Sequence, residues 1–175
     1  MIKKTNFDFN RPNLKEYKSV EKHRLAVVLD NIRSQHNVGS VFRTSDAFLV
    51  EKLFLCGITS TPPHREIHKT ALGATDSVDW EYYSQTKDAI LHLKSQGFSI
   101  VALEQTTNSV SFKDLDCSKP VALIIGNEVE GVSEDCLAMS DQVVEIPQYG
   151  TKQSLNVSVS AGIAIWEIIK TIKLA

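Results

Sequence analysis

The stretch "RLAVVLDNIRSQHNVGSVFRTSDAFL", Arg24–Leu49, contains a complete strand-to-helix unit and sets the reading of the whole chain. Its first part, "RLAVVLD" (24–30), is short and apolar, as a strand buried on both faces should be. The polar run "NIRSQHNVG" follows, and then a helical pattern over 37–49. Asn37 suits the N-cap, and Val38, Val41, Phe42, Ser45, Phe48 and Leu49 recur three and four apart along one face.

Outward from this unit the alternation continues. "KLFLCG" (52–57), "FSIVALE" (98–104), "VALIIGN" (121–127) and "QVVEIP" (142–147) read as further strands, and "TKDAILHLKSQ" (86–96), "SEDCLAM" (133–139) and 154–172 as helices. Gly97 stands where a helix stops, and Ser133 before Glu134 and Asp135 forms an N-cap signal. In the last helix Leu155, Val159, Ile163, Trp166 and Ile169 make one apolar stripe, with Ser154 placed to cap it. Strands alternating with helices predict an α/β fold, a mainly parallel sheet flanked by helices. The expected organisation is a short basic N-terminal arm, 1–23, and one domain, 24–175.

The chain has 175 residues and a net charge of −2, which argues against non-specific nucleic-acid binding by its whole surface. Charge is uneven, however. Residues 1–24 hold seven Lys and Arg against three acids, so this end carries +4 and the remainder −6. Such an arm can follow a phosphate backbone, although a solvated tail has the same composition. The three cysteines, Cys56, Cys117 and Cys136, form no C-x-x-C pair and read as small hydrophobes in a reducing compartment. No apolar run reaches the ~18 residues of a membrane span, so the expectation is a cytoplasmic protein.

In open α/β sheets ligands gather at the carboxyl ends of the strands. Three loops there are polar: "NIRSQHNVG", "GNEVEG" and "PQYGTKQSLN". On 37–49, Arg43 lies four residues after Gly39, outside the apolar face. The glycine is expected to leave open space beside the guanidinium, a place for a phosphate or another oxyanion, while a solvated surface arginine fits the same pattern. Gly126 permits close backbone approach, Asn127 and Glu128 place an amide and a carboxylate at a strand end, and Asn156 sits in the first turn of the final helix.

Taken together, "NVGSVFR" (Asn37, Gly39, Arg43), "LIIGNEVEG" and "IPQYGTKQSLNVSVS" resemble, in order and spacing, the three motifs of the SpoU/TrmH class of the SPOUT superfamily. These are S-adenosylmethionine-dependent RNA ribose 2′-O-methyltransferases, and the resemblance spans roughly residues 24–170. It implies a C-terminal deep trefoil knot, an exception to the unknotted rule. It also implies a homodimer and a cofactor pocket formed by Leu103, Glu104, Gly126, Ile146 and Leu155. The catalytic group by the same resemblance is Arg43, Asn37, Glu128, Ser154 and Asn156, with Arg43 acting on the 2′-hydroxyl. A guanidinium pKa above ~12 leaves almost no neutral base at pH 7, so steadying the developing alkoxide or a neighbouring phosphate suits Arg43 better than accepting a proton. Glu128 would hold Arg43 or another polar group.

The substrate is expected to be RNA, tRNA favoured over rRNA, since no separate N-terminal RNA-binding domain precedes residue 24. Arg65 and Lys69, in the long segment after the second strand, and Arg11 and Lys22 of the arm are the expected RNA contacts. A SPOUT-fold RNA-binding protein without activity is the alternative; it would be favoured by a changed Arg43 or Asn156, and both are present. "HREIH" sets His64 and His68 four apart, but Glu66 is displaced from the H-E-x-x-H position, so no metal is expected and the segment reads as an exposed loop.

Overall fold

Every strand pair is parallel in the computed structural model, which describes residues 3, 4, 9 and 11–174. The strands are β1 (His23–Asp30), β2 (Val50–Cys56), β3 (Trp80–Tyr83), β4 (Ser99–Leu103), β5 (Val121–Ile125) and β6 (Gln142–Val144), in the spatial order β3-β2-β1-β5-β4-β6. The helices are α1 (Leu14–Ser19), α2 (Gln35–Ala47), α3 (Arg65–Ala71), α4 (Ala74–Ser77), α5 (Thr86–Ser95), α6 (Glu134–Met139) and α7 (Val157–Leu174).

Alternation along β1 explains the layers. Leu25, Val27 and Leu29 enter one core with Val38, Val41 and Phe42 of α2 and Ala161, Ile165 and Ile168 of α7. Ala26 and Val28 enter the other, with Ala89, Ile90 and Leu93 of α5 and Cys136 of α6. Both faces are therefore dry, which is why these strands are apolar throughout. A fully buried side chain such as Phe42 contributes about 1.5–3 kcal/mol relative to an exposed one.

The structure corrects four expectations. Ser34, not Asn37, caps α2: its hydroxyl accepts the Asn37 amide at 3.3 Å, leaving the Asn37 side chain free for other bonds. Ser154 does not cap α7, which begins at Val157; Asn156 Oδ1 accepts the Ser158 amide at 2.9 Å instead. "HREIH" is no loop, because His64 Nδ1 accepts the Glu66 amide at 3.2 Å and starts α3. Gly39 does not leave open space: a Cβ there would lie 2.1 Å from Thr70 Oγ1 and 2.3 Å from the Ile67 carbonyl oxygen. The glycine lets α3 cross α2 in close contact.

Two segments extend the pattern read from sequence. β3, "WEYY", is an edge strand paired only with β2, so it lacks the continuous apolar run of the buried strands. Within the arm, α1 is closed by a capping box between Asn13 and Glu16 and buries Tyr17. Most of the first ten residues of the arm lie outside the described ones. The exit of the chain from β6 after Val144, and its return into α7 against β1 and α2, fits the knotted topology that the resemblance implies.

Candidate active site

β6 ends three residues earlier than the sequence pattern suggests because Glu145 and Ile146 turn out of the sheet to line a cavity. This cavity, of about 380 Å³, lies beyond the carboxyl ends of β4, β5 and β6. Leu103 ends β4 and Glu104 follows it, Gly126 follows β5, Ile146 follows β6, and Ser154 and Leu155 lead into α7; all six line it. The five expected cofactor residues thus meet at one place, in the size range of small-ligand sites.

The floor is made by Gly126 to Val132, which doubles back on itself. Asn127 and Gly131 exchange backbone hydrogen bonds at 2.9 and 3.0 Å, and Asn127 Oδ1 accepts the amides of Val129 and Glu130. Gly126 is required by this turn, since a Cβ would sit 2.1 Å from the Val132 nitrogen. Gly131 takes φ +72° and leaves room for the Glu104 carboxylate, which accepts the Val132 amide at 3.1 Å. Glu104 therefore uses its side chain to brace the floor, in addition to lining the cavity.

At the rim, three of the expected catalytic residues form a chain of hydrogen bonds. Asn156 Nδ2 donates to Asn37 Oδ1 at 3.2 Å, and Asn37 Nδ2 donates to Glu128 Oε1 at 3.1 Å. Glu128 also accepts the backbone amides of Arg33 and Ser34, each at 2.9 Å, at the positive end of α2. Burial works to raise the Glu128 carboxyl, but these amides, its own amide and the Asn37 side chain outweigh it and hold the group below the usual carboxylate range. Glu128 is thus kept ionised and anchors α2 to the cavity floor.

Arg43 stands apart. It is exposed on α2 and lines a separate groove of about 1010 Å³, together with Arg11, Leu14 and Tyr17 on one wall and Leu72 and Gly73 on another. The two cavities share no lining residue. Glu128 holds Asn37 and two amides, and does not hold Arg43.

Of the expected RNA contacts, Arg65 has a side chain 85% exposed. Lys69 pairs with Glu66 at 2.7 Å, which His36 also approaches at 2.8 Å. Lys22 lies over the Tyr17 ring, 3.6 Å from its centre, and burial lowers its ammonium pKa. Arg11 faces the Arg43 groove. Cys56 and Cys136 are core residues whose thiols burial pushes up to about 12 and about 11.

The apolar stripe anticipated on α7 lies mostly on its outer face. Ile169 is buried, but Val159, Ile163 and Trp166 of the anticipated stripe are 51%, 37% and 51% exposed. The core contacts come instead from Val157, Ala161, Ala164, Ile165 and Ile168. The helix is apolar on two sides, and among the described residues the outer one is covered in part, by Phe48 against Trp166.

A parallel α/β sheet with a cavity of small-ligand size at its strand ends, floored by a Gly-Asn-Glu turn, defines a nucleotide- or cofactor-using class. The sequence model of the SpoU rRNA Methylase family matches residues 24–166, and the chain belongs to that family. A tRNA (guanosine(18)-2′-O)-methyltransferase of Aquifex aeolicus is 35% identical over 160 residues, 88% of this chain and 72% of that one. Relatives of the same name are 32% and 34% identical, and the chain spans 62% and 73% of their lengths. The crystal structure of the A. aeolicus TrmH/SpoU tRNA modifying enzyme superposes with a TM-score of 0.82 at 32% identity, covering 92% of this chain and 81% of that one. An AdoMet-bound rRNA methyltransferase of Sinorhizobium meliloti gives 0.80 at 28% identity, covering 89% and 60%.

Proposed function

We propose that the protein transfers a methyl group from S-adenosylmethionine to a ribose 2′-hydroxyl of tRNA. One observation carries the reading: Leu103 and Glu104 at the end of β4, Gly126 after β5, and Ile146 and Leu155 in the β6–α7 connection come from three separate segments and line a single cavity, with the Asn156–Asn37–Glu128 chain at its rim. The donor set fits the cofactor. Leu103, Ile125, Ile146, Leu155 and Val157 would form apolar walls for an adenine, and residues 126–131 would hold its polar edge.

S-adenosylmethionine supplies a methyl group already activated on a sulfonium. What remains for the chain is to place the 2′-oxygen in line and to stabilise the charge that develops as its proton leaves. Asn37 and Asn156 fix one another, and Glu128 fixes Asn37, so the rim amides are held without needing substrate to order them. Arg43 supplies the positive charge for the alkoxide or for an adjacent phosphate that takes the proton.

This assignment requires a second copy of the chain, because Arg43 and the cavity lie on separate surfaces of one protomer. The apolar outer face of α7 supplies the contact: Trp166 packs on Phe48 of α2 at 5.6 Å between ring centres, so that face is continuous with the helix carrying Arg43. In the homodimer, Arg43 of one protomer serves the cavity of its partner. Arg11, beside Arg43, and Arg65 extend the cationic surface toward phosphate, and the names of the relatives favour tRNA over rRNA. No described helix is long and apolar enough to cross a membrane, and the reading places the protein with its substrate in the cytoplasm.

The test is incubation with unmodified tRNA and methyl-labelled S-adenosylmethionine, followed by alkaline digestion. A 2′-O-methyl group prevents cleavage of the adjacent phosphodiester, so label is expected in an alkali-resistant dinucleotide. Label on mononucleotides would assign the methyl group to a base and overturn the reading.

A further inference from the structure

Position 30 continues the face of β1 that carries Ala26 and Val28, and so points a carboxylate into the apolar layer beneath α5 and α6. Asp30 is 1% exposed and forms no ion pair among the described residues. Burying a charge in this way is costly unless each oxygen is satisfied. Here each is. Oδ1 accepts Asn31 Nδ2 at 2.8 Å and the Thr86 hydroxyl at 2.5 Å, and Oδ2 accepts the Ser133 amide at 3.1 Å and the Ser133 hydroxyl at 3.0 Å.

These donors are not equivalent. Thr86 opens α5, which lines neither cavity, whereas Ser133 closes the turn that floors the 380 Å³ cavity. At the other end of that turn, Asn127 Nδ2 donates to the Asn31 carbonyl at 2.7 Å. The carboxyl end of β1 therefore grips the cavity floor at both ends, through the Asp30 carboxylate at Ser133 and the Asn31 backbone at Asn127. Ser133 spends its hydroxyl on this bond although it occupies the N-cap of α6, where a serine hydroxyl ordinarily serves the helix.

We propose that Asp30 is a positioning residue for the cofactor cavity, setting the height and tilt of the 126–133 turn through Ser133. It touches no reacting atom; it acts on the backbone that the cofactor contacts. The inference rests on the assignment of this cavity to S-adenosylmethionine.

A matched pair of variants tests it, each removing one neutral hydroxyl from Asp30. Ser133→Ala leaves the turn held to Asp30 by the backbone amide alone and Thr86→Val removes the hold on α5, so both should lower the melting temperature. Only Ser133→Ala should weaken S-adenosylmethionine binding, by roughly five- to tenfold, the scale of one ordinary hydrogen bond. The KM for the cofactor should rise by the same factor while kcat at saturating cofactor stays near wild type. Ser133→Thr, which keeps the hydroxyl, should restore affinity. Equal weakening in both variants would reduce Asp30 to a stabilising role and overturn the proposal, as would wild-type affinity in Ser133→Ala. A wild-type protein that binds no S-adenosylmethionine in the same titration would overturn the cavity assignment itself.

Discussion

The cofactor cavity and the Arg43 groove are built by opposite means. The cavity is over-determined: Glu104, Asn127, Glu128 and Asp30 each hold backbone of the turn or of α2, and its shape is complete within one chain. In the groove, Arg43 is exposed and anchored to no described carboxylate, and beside it α7 presents Val159, Ile163 and Trp166 only partly covered. The difference teaches where each half of the reaction is prepared. In the proposed reaction, binding geometry is fixed by folding, whereas the exposed Arg43 would be placed by assembly and by substrate.

Removing Arg43 should separate the two regions most sharply. Arg43→Ala is expected to lower turnover by at least ~100-fold, the scale of losing one charge-stabilising donor, with S-adenosylmethionine affinity near wild type. A loss confined to cofactor affinity would merge the regions and refute the division. Trp166→Glu attacks the groove side by placing a charge on the outer face of α7. Light scattering should show monomer at micromolar concentration and activity should fall at least ~10-fold, while each monomer still binds cofactor. A variant that stays dimeric and active would remove α7 from the interface.

The smallest effect concerns the joint between the regions, where Glu128 ties α2 to the cavity floor. Glu128→Gln should cost about 1 kcal/mol of stability, seen as a melting temperature lower by a few degrees. The sign with pH is fixed by the depressed carboxyl. The wild-type contribution is complete above the unfolded value near ~4.3 and disappears as pH falls through the lower folded value. The melting curves of the two proteins should therefore converge at acid pH; a gap unchanged down to pH ~3 would show that the charge on Glu128 is not what holds α2.

Much of this division was readable in the chain. The βα alternation gives the parallel sheet, and the loops after residues 125 and 147 lead to the cavity, because ligands gather at the carboxyl ends of parallel strands; the loop after residue 30 reaches it only through the hydrogen bonds of Arg33 and Ser34 to Glu128. What escaped depends on contacts distant in sequence. The spacing of Gly39 and Arg43 suggests room for a ligand, yet the space belongs to Thr70 and Ile67, which only the docking of α3 brings near. On α7 the three-and-four spacing identified an apolar stripe but not whether the chain itself covers it, since two stripes coexist on one helix. An aspartate at a strand end carries no signal of its own, and the significance of Asp30 comes from Thr86 and Ser133, 56 and 103 residues away.

Complementation between two inactive chains tests the central claim, that Arg43 of one protomer completes the cavity of the other. One chain carries Arg43→Ala and the second carries Leu155→Arg, which blocks the cavity. Each homodimer should be inactive. After unfolding and refolding an equal mixture, about half of the dimers are mixed and each has one intact site, so activity should return to about a quarter of wild type. If Arg43 serves the cavity of its own chain, no intact site can form, and a mixture as inactive as its components would contradict the account.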